Sequence, residues 1–578
     1  MFEERPSPAK VTAAAAAKLP RWALIGLLVA FIVPGLFGRD PWTLKDAASF
    51  GVMWTMAHGS ALDWWLPNVA GAAATDAGPL TGWVGALFIR LFSPWLAEPT
   101  AARLTIVLWF VLATAMLWYA TWRLARRQEA QPVAFAFGGE AQPRDYGRAL
   151  ADVAVLLLVA TFGLAVRLHE AVPDTAMFAF AATAFFGITW GLDRPVAGAL
   201  LTGAAAGAAA LASSVQAAAW ILIAALLVAA ITPGPRPLRA VLSVLAAGAV
   251  FALWPIGAWL GAGPDAGPWF ARWWIDSRAD FGLLDGDGYL WLARNFAWYT
   301  WPLWPVAIWA MYSWRHAIRQ VHMAIPLVWL LVVLLGIPLS ASMGDSQMMM
   351  LVPPLVVLGA FGVTSLRRGA ENVIDWFSIA LFTLVAAGLW LYFFAWESGW
   401  PPKMARSLLR FAPGVAAEIN PLYFTVTVAA SLGWIALLVW RMRTAPLVLW
   451  RGPWLAAAGL TMTWILIVGL FRDAVDANRA YRPVALAIAA QVANAGASPD
   501  DCVRTWHVPA GVRALIVHHG GLRFEPDAKL GQCRFLLHRD GQRSQFDNDL
   551  PPGSWVLISS TRSRTRPDEQ FRLLAPQP

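Results

Sequence analysis

Charged residues are scarce in this chain of 578 residues: they make up 14% of it, and it has only eight histidines and two cysteines. Hydrophobic residues make up 58%, and the mean hydropathy is +0.54. Ordinary soluble proteins have a lower apolar fraction, and it is interrupted more often. The composition excludes that class and predicts an integral membrane protein, in which the 35 Trp and 30 Phe suit membrane–water interfaces or stacking on sugars.

The common catalytic motifs are also missing. The sequence has no phosphate-binding glycine loop, no His-Glu-x-x-His and no nucleophile elbow. Asp285-Gly-Asp-Gly lacks the later ligands of a calcium loop, and His518-His519 stands without metal-ligand spacing. Ionisable residues are rare inside the apolar runs, which weighs against a proton-driven transporter.

The net charge of +9 is spread in short basic clusters between apolar runs rather than gathered in one patch, so it indicates membrane orientation and not nucleic acid binding. The two cysteines, Cys502 and Cys533, both lie in the polar C-terminal region. A disulfide forms there if the region faces an oxidising compartment, and two free thiols are the alternative.

Apolar runs long enough to cross about 30 Å of hydrocarbon recur along the chain. They begin near Arg21, Ala102, Ala149, Asp174, Pro195, Gln216, Ala240, Tyr299, Met323, Met349, Trp376, Leu422 and Trp454. These starts predict an all-α polytopic membrane protein with about thirteen transmembrane helices. The run from Thr81 to Leu96 is short and contains Arg90 and Pro94, so a helix lying along or dipping into the membrane is expected there.

If that short run does not span, every basic cluster falls in links on one side of the membrane. These links contain Arg123, Arg126, Arg127, Arg144, Arg148, Arg194, Arg236, Arg239, Arg315, Arg319, Arg367, Arg368, Arg441, Arg443 and Arg451. The opposite links are richer in carboxylates, as the positive-inside rule requires. The pattern predicts a cytoplasmic N-terminal tail carrying Arg5 and Lys10, a retained first anchor, and a C-terminal region outside.

The predicted domains are a tail at 1–20, a transmembrane module at 21–471 with an outer first loop at 38–101, and an outer domain at 472–578. In the last of these, an amphipathic helix is expected over Asn478 to Gly496. Short β-like runs separated by turn residues follow it, at Val503–Val508, Ala514–Val517, Arg534–His538, Trp555–Ser559 and Phe571–Leu574. They predict a small α/β domain outside the membrane.

The outer links bring carboxylates and arginines to one face. The acidic candidates and one histidine are Asp40, Asp46, Asp76, His169, Glu170, Asp174 and Asp345, and the arginines at the same level are Arg39, Arg103 and Arg167. Carboxylates at the mouth of a membrane cavity can act as a general base or hold a divalent cation, and guanidinium groups bind phosphate in two-pronged geometry. Taken singly, each carboxylate also fits a solvated helix end or cap; taken together on one face, they favour a site.

Several of these segments resemble the first-loop signature of the GT-C glycosyltransferases, and are most similar to the protein mannosyltransferase and aminoarabinose (lipid A) transferase group. The first-loop segments are Gly38-Arg-Asp-Pro-Trp, Ala47-Ala-Ser-Phe-Gly, Trp64-Trp-Leu-Pro-Asn, Gly78-Pro-Leu and Ala102-Arg-Leu. Leu168-His-Glu-Ala-Val-Pro-Asp-Thr resembles the second acidic loop of that group, and Met350-Leu-Val-Pro-Pro-Leu resembles its late Pro-containing span.

The resemblance implies a helical bundle with a cavity at the outer face, where a polyprenyl-phosphate sugar donates its glycosyl group. The family's Asp-Glu pair corresponds to Lys45 and Asp46 here, and its Glu-Lys-Pro-Pro-Leu run corresponds to Asp76-Ala-Gly-Pro-Leu80. Lys45 cannot replace a carboxylate base, because with an ordinary pKa of about 10.4 it is protonated at neutral pH. It can instead supply the phosphate-binding charge that the family's lysine gives.

The resulting hypothesis is a bacterial inner-membrane glycosyltransferase that modifies a lipid A-like lipid, a protein or a glycan on the periplasmic side. Asp46 is the predicted catalytic carboxylate, assisted by Asp174 or Asp76. The predicted phosphate contacts are Arg39, Lys45, Arg103 and Arg167, and the predicted supporting residues are Asp40, His169, Glu170 and Asp345. A divalent metal ion is a candidate cofactor without a convincing ligand set. The alternatives are an inactive GT-C-like scaffold that binds an isoprenoid lipid or a partner, and a transporter.

Overall fold

The computed structural model describes residues 7–416, 419–444, 448–497, 501–525, 533–540, 550, 554–562 and 569–577. Arg5, placed in the predicted N-terminal tail, lies outside the described residues, as do parts of the predicted C-terminal domain. The described chain is a bundle of helices with a small sheet domain near its C-terminus, which confirms the predicted fold class.

Helices form most of the first half of the chain. They are α1 Arg21–Ile32, α2 Leu44–His58, α3 Ala61–Trp65, α4 Leu80–Phe92, α5 Glu98–Arg103, α6 Thr105–Ala125, α7 Pro143–Val159, α8 Leu164–Arg167, α9 Pro173–Trp190, α10 Pro195–Ala212 and α11 Val215–Ile231. A two-stranded antiparallel ribbon, β1 Asn68–Val69 and β2 Ala72–Ala73, lies between α3 and α4.

The second half continues in the same way. Its helices are α12 Arg236–Ala262, α13 Ala266–Ala279, α14 Gly286–Tyr299, α15 Leu303–Ser313, α16 Val321–Gly336, α17 Asp345–Val363, α18 Arg368–Ser398, α19 Pro402–Phe411, α20 Pro421–Thr444, α21 Arg451–Arg479, α22 Arg482–Asn494 and α23 Ala510–Gly520. Single 3-10 turns lie at Gln128–Ala130, Gly263–Asp265, Arg315–Ala317 and Ile337–Leu339.

Within the described ranges, eight helical segments are long and apolar enough to cross a membrane. They are Glu98–Ala125, Pro195–Ala212, Arg236–Ala279, Val321–Leu339, Asp345–Val363, Arg368–Ser398, Pro421–Thr444 and Arg451–Asn494. Three further apolar helices are shorter: α1, α4 and α11. The chain is therefore a multi-pass membrane protein by length and composition, while the count of about thirteen spans stays a prediction.

One part of the bundle is built from closely packed helices, in which α10 lies against both α9 and α12, and α9 lies against α6. Their contacts use small side chains, as membrane helices do when their backbones approach each other. A Cβ added to Gly187 of α9 would come within 2.5 Å of the Thr202 hydroxyl on α10. The Ala/Gly-rich sequence of α10 thus permits the close approach, and α9 carries its first turn to a fixed position in the site.

The helix α4 forms where the short apolar run was expected. Gly82 and Gly85 on α4 lie against Met56 and Met53 of α2, so α4 supports the first-loop helix from behind. Its orientation relative to the membrane stays a prediction.

The C-terminal domain contains a mixed sheet with the strand order β4-β3-β5-β7-β6. The strands are β3 Cys502–Trp506, β4 Arg523–Phe524, β5 Phe535–Asp540, β6 Trp555–Arg562 and β7 Gln570–Pro576. The strands β4 and β5 pair parallel with β3, while β7 pairs antiparallel with β5 and β6.

The predicted amphipathic helix of this domain is α22, and the structure confirms it. Its Val484, Ile488 and Val492 are buried, whereas Leu486 points outward. The prediction of a strand over Ala514–Val517 is wrong, because the segment belongs to α23. A short apolar run does not distinguish a strand from a buried helical segment.

The cysteines Cys502 and Cys533 form a disulfide that joins β3 to the chain just before β5. The alternative of two free thiols is therefore wrong for this structure. In the chain-entropy picture, closing a loop of this length stabilises a domain by about 3–4 kcal/mol.

The C-terminal domain docks on the first-loop helix through α23. Gly51 of α2 faces Ala514, and a Cβ added to Gly51 would lie 2.5 Å from the Ala514 Cβ. Gly511 in turn packs on the Leu44 carbonyl at the start of α2. Small residues on both sides let the helices touch, so the sheet domain reaches the position where α2 presents Lys45 and Asp46.

Candidate active site

The candidate site lies where three helices begin: α2, α9 and α17. Thr43 caps α2 by accepting a hydrogen bond from the Asp46 amide at 3.1 Å. Pro173 occupies the first turn of α9, where its missing N–H costs nothing, and Asp174 follows it. Asp345 is the first residue of α17. Carboxylates at helix N-termini are stabilised by the helix dipole, so these sequences favour charge at this end of the bundle, called here the site end.

Two of these helix starts meet in a short ion pair. Lys45 Nζ lies 2.6 Å from Asp174 Oδ2; the Lys45 side chain is 50% exposed, whereas that of Asp174 is buried. Burial lowers the pKa of Lys45, but the charge and hydrogen bond of Asp174 raise it by more, so the net pKa lies above its ordinary value. The charges of Asp345 and Asp76 raise it further, which places both carboxylates in the same electrostatic neighbourhood.

Arg167, at the end of α8, forms the second part of this arrangement. Its Nε lies 2.9 Å from Asp345 Oδ2, and its Nη1 donates to Glu170 Oε2 at 2.7 Å. Its side chain is 32% exposed. We call Lys45, Asp174, Arg167 and Asp345 the open cluster, because its two cations remain accessible while they hold two carboxylates.

A second group of predicted residues lies directly behind it and is closed to solvent. Arg39 is fully buried: its Nε donates to the Gly35 carbonyl at 2.6 Å, another nitrogen donates to the His169 carbonyl, and the guanidinium lies 4.3 Å from the centre of the Trp42 ring. Arg103 donates from Nη1 to the carbonyls of Leu36 and Arg39, both at 3.1 Å.

Asp46 belongs to this buried group. Its Oδ1 accepts from the Ala171 amide at 2.9 Å, and its Oδ2 lies 3.8 Å from Arg39 Nη1. Within the described chain, Asp46 Oδ2 has no hydrogen-bond partner. We call Arg39, Asp46, Arg103, His169 and Glu170 the closed cluster; it ties the first loop to the second.

The electrostatics of the closed cluster are those of buried groups. Burial and the neighbouring Arg103 lower the pKa of Arg39 to about 9, against the opposing charges of Asp46 and Glu170. Burial lowers the pKa of His169 to about 4, although its ring nitrogens face the carbonyls of Phe31 and Ala165 at 2.8 and 2.6 Å. Burial raises the pKa of Glu170 despite the charge of Arg167. As placed, Asp46, Arg39 and Arg103 have no open path to a ligand, so their predicted direct roles stay untested and this geometry does not favour them.

Asp76 lies on the exposed side of the site, at the edge of a cavity of about 270 Å³. Ser49 of α2, Pro173 next to Asp174, and Ala510 of the C-terminal domain also line this cavity. Next to Asp76 in the chain, the Thr75 hydroxyl donates a hydrogen bond to Asp276. Burial and the charges of Asp76 and Asp276 raise the pKa of Asp280. The long loop rich in Trp and Asp therefore does reach the first loop.

Asp40 is separated from the open cluster and faces the C-terminal domain. Its Oδ1 lies 3.9 Å from His519 Nε2. Nearby, Glu98 Oε1 lies 2.9 Å from His58 Nε2, and Glu98 Oε2 lies 3.4 Å from His518 Nδ1. Burial lowers the pKa of His518 to about 4. The sequence analysis missed the contacts of Asp40 and Glu98 with His519 and His518, and also the position of Ala510 in the cavity wall. Nothing in the local sequence indicates a contact between residues more than four hundred positions apart.

No metal site is formed by the side chains that the structure describes: none of their His, Cys, Asp and Glu groups has three members placed to hold an ion. The acidic candidates instead hold cations of the protein itself, as in Asp174 with Lys45 and Asp345 with Arg167. The donor set therefore does not fit a divalent metal.

The helical bundle with its appended sheet domain has the same fold as two solved structures of ArnT. The chain is similar to the crystal structure of ArnT from Cupriavidus metallidurans bound to undecaprenyl phosphate, with a TM-score of 0.65 and 16% identity over 95% of this chain and 97% of that one. The apo-state structure of the same ArnT has a TM-score of 0.60 and 15% identity over the same shares. No protein-family model matches the chain, and no curated protein matches it in sequence. At this identity the likeness shows the fold alone.

Proposed function

We propose that this chain is an integral-membrane glycosyltransferase that moves a sugar from a polyprenyl-phosphate donor to a lipid, protein or glycan acceptor at the periplasmic face of a bacterial inner membrane. The observation that carries the proposal is the open cluster: two accessible cations and two carboxylates at the end of a GT-C-type bundle, beside a cavity. The similar ArnT structure has undecaprenyl phosphate bound, which supports a lipid-phosphate donor. A lipid A-like acceptor rests on the resemblance alone.

Lys45 and Arg167 are the proposed donor-phosphate contacts. Both side chains are partly exposed, and each is held by a carboxylate that a phosphate can replace as partner. As the sugar–phosphate bond breaks, negative charge grows on the departing phosphate. Fixed cations in a partly desolvated site stabilise that charge without having to reorganise.

Asp174 is the proposed acceptor-orienting base, with Asp76 assisting from the cavity edge. In the structure Lys45 neutralises Asp174 across 2.6 Å. When donor phosphate binds Lys45, Asp174 becomes free to accept the proton of an acceptor hydroxyl. The acceptor oxygen then attacks the anomeric carbon as the bond to the phosphate breaks, and the configuration inverts.

Asp46, Arg39 and Arg103 are assigned positioning roles in this proposal. Asp46 fixes the second loop through the Ala171 amide, and Arg39 and Arg103 clamp main-chain carbonyls of the first loop. His169 and Glu170 belong to the same buried support. Asp345 positions Arg167, whereas Asp40 contacts the C-terminal domain.

The Lys45–Asp174 pair also favours a second candidate, an inactive GT-C-like scaffold that binds an isoprenoid lipid or a partner. A lysine stands where the resemblance implies a carboxylate, and it neutralises the nearest acidic side chain. In this scaffold the pair would be a permanent structural contact, and its removal would change stability but no glycan.

Mass spectrometry of envelope lipids, glycans and polyprenyl-phosphate sugars, with and without the gene, tests the proposal. The expected result is the loss of one glycan together with accumulation of its donor, restored by the wild-type chain and not by Asp174→Asn. A matched Asp276→Asn variant should restore it fully, since Asp276 binds Thr75 outside the open cluster. Unchanged profiles under several growth conditions, with the protein present in the membrane, would favour the scaffold.

A further inference from the structure

A long apolar groove lies on the side of the bundle and shares no residue with the open or the closed cluster. It has a volume of about 410 Å³ and runs between α15 and α18, and residues of α21 and of the C-terminal ends of α7 and α17 complete its lining. Trp301, Trp309, Ile374, Phe382 and Ala456 are among the residues that line it. None of these residues takes part in the open or the closed cluster, so the proposed transfer reaction does not use the groove.

The outer edge of the groove faces the surrounding bilayer. Val373 and Phe377, which line the groove on α18, are 68 and 47% exposed, although α18 is one of the membrane-spanning candidates. Exposed apolar side chains on such a helix contact hydrocarbon, so a ligand can enter sideways from the bilayer.

The length of the groove corresponds to one leaflet. Its lining on α18 extends from Ala370 to Phe382, which is about 18 Å of helix at 1.5 Å per residue. Half of a hydrocarbon core of about 30 Å is about 15 Å. The groove thus accommodates a single acyl chain lying along the helices from one membrane surface to the bilayer middle.

One end of the groove carries surplus positive charge. Arg367 lines it and Arg368 adjoins it; both are exposed, and within the described residues neither forms an ion pair. The carboxylates next to them are already engaged. Asp375 Oδ2 lies 3.0 Å from Arg441 and 2.7 Å from Arg451, and Glu371 lies 3.8 Å from Arg451.

We propose that this groove binds one anionic glycerophospholipid, with an acyl chain between α15 and α18 and its phosphate on Arg367 and Arg368. Charge complementarity selects an anionic headgroup, because four arginines at this end face two carboxylates. The lipid fills the space between α18 and the rest of the bundle, where side chains leave a gap.

The glycosyl donor is a different ligand at the opposite end of the bundle. The helix α17 begins at Asp345 in the open cluster and ends at Val363, about 28 Å away for 19 residues. A donor phosphate on Lys45 and Arg167 therefore cannot reach Arg367. The lipid site does not depend on the proposed transfer and would exist in an inactive scaffold as well.

Native mass spectrometry of the full-length purified chain with added phosphatidylglycerol or phosphatidylcholine tests the site. The wild-type protein should retain one phosphatidylglycerol, at least fivefold above phosphatidylcholine. The Arg367→Gln, Arg368→Gln double variant should lower phosphatidylglycerol retention to the phosphatidylcholine level. The matched control, Arg194→Gln with Arg236→Gln, removes two exposed arginines at the same end of the bundle but outside the groove, and should retain the wild-type preference.

A second pair of variants tests the acyl chain. Ile374→Trp fills the groove and should abolish retention of either lipid. The control, Leu384→Trp, places the same side chain on an exposed position of α18 that does not line the groove, and it should retain lipid as the wild type does. Retention by Ile374→Trp, or an equal loss in the Arg194/Arg236 control, would overturn the proposal. Displacement of phosphatidylglycerol by equimolar undecaprenyl phosphate would also overturn it, by identifying the groove as an isoprenoid site.

Discussion

The open and closed clusters both bring cationic side chains next to carboxylates, yet they differ in what their charges can contact. In the open cluster Lys45 and Arg167 are 50 and 32% exposed, and each holds a carboxylate of a helix N-terminus. In the closed cluster Arg39 is 0% exposed and is bound mainly by main-chain carbonyls. Solvent exposure of the side chain, rather than its charge, distinguishes the residues that can bind a ligand from the residues that hold the loops together.

The sharpest case is the adjacent pair Lys45 and Asp46. Successive residues of a helix point about 100° apart, so α2 presents Lys45 to the cavity side and turns Asp46 into the protein. Asp46 is then a buried carboxylate beside a buried guanidinium, where loss of one partner leaves an uncompensated charge.

Removing the Asp46 carboxylate should give the largest effect on stability. Asp46→Ala leaves Arg39 beside the charge of Arg103 without its carboxylate partner, and leaves the Ala171 amide unbonded. Breaking a buried pair costs about 3–5 kcal/mol, so the free energy of unfolding in mixed micelles should fall by that amount. Asp40→Ala, at the edge of the cluster, should cost below about 1 kcal/mol. A stable but inactive Asp46→Ala protein would restore Asp46 to a catalytic role.

The open cluster should respond in activity instead. Asp174→Asn keeps the size of the side chain at the start of α9 but removes the proposed base. A positioned general base contributes about 10²–10⁴-fold, so glycosyl transfer should fall at least about 100-fold, with unfolding changed by less than about 1 kcal/mol. Asp276→Asn serves as the control. Full activity in Asp174→Asn would move the base to Asp76 or remove the need for one.

The fold was largely predictable from the sequence. Long apolar runs identify membrane helices because a span of lipid demands about twenty apolar residues. The amphipathic pattern of α22 likewise located its buried face through Val484, Ile488 and Val492. Ala514–Val517 was not predictable as helix, because its apolar side chains are buried against α2 and α22 by contacts from outside the segment.

The sequence predicted which residues belong to the candidate site, but not which of them are exposed in the open cluster and which are buried in the closed cluster. Helix-start carboxylates such as Asp174 and Asp345 carry a local signal, whereas the burial of Arg39 depends on Trp42, His169 and the loop carbonyls around it. Burial is set by tertiary packing, which motif spacing does not contain. The histidine contacts with Glu98 were invisible for the same reason.

The pH dependence of the free energy of unfolding should report on the closed cluster through His169. With its pKa lowered to about 4 by burial, His169 stays neutral in the folded protein at pH 5, while in the unfolded chain, with an ordinary pKa of 6.5, it binds a proton. The unfolded state therefore binds more protons between these values, and stability falls as pH falls from about 6.5 to about 4. The expected loss from His169 is about 2 kcal/mol between pH 7 and pH 5.

The measurement is denaturant unfolding at both pH values for the wild type and for His169→Asn. The variant cannot titrate, so its pH dependence should be smaller by that amount, while the remaining dependence reports other groups such as His518. If instead the carbonyls of Phe31 and Ala165 hold a protonated ring, the wild type would gain stability on acidification relative to the variant.

The smallest expected effect comes from the two accessible cations taken singly. Lys45→Gln or Arg167→Gln removes one phosphate contact while the other remains, so the KM for the polyprenyl-phosphate donor should rise about tenfold, or about 1.4 kcal/mol. Lys45→Arg should recover much of the loss because the charge is kept, although the guanidinium geometry differs. Arg103→Lys, in the closed cluster, is the matched control and should alter stability with the donor KM unchanged. If Arg103→Lys raised the KM as much as Lys45→Gln, access would not distinguish the clusters, and the closed cluster would have to open when the donor binds.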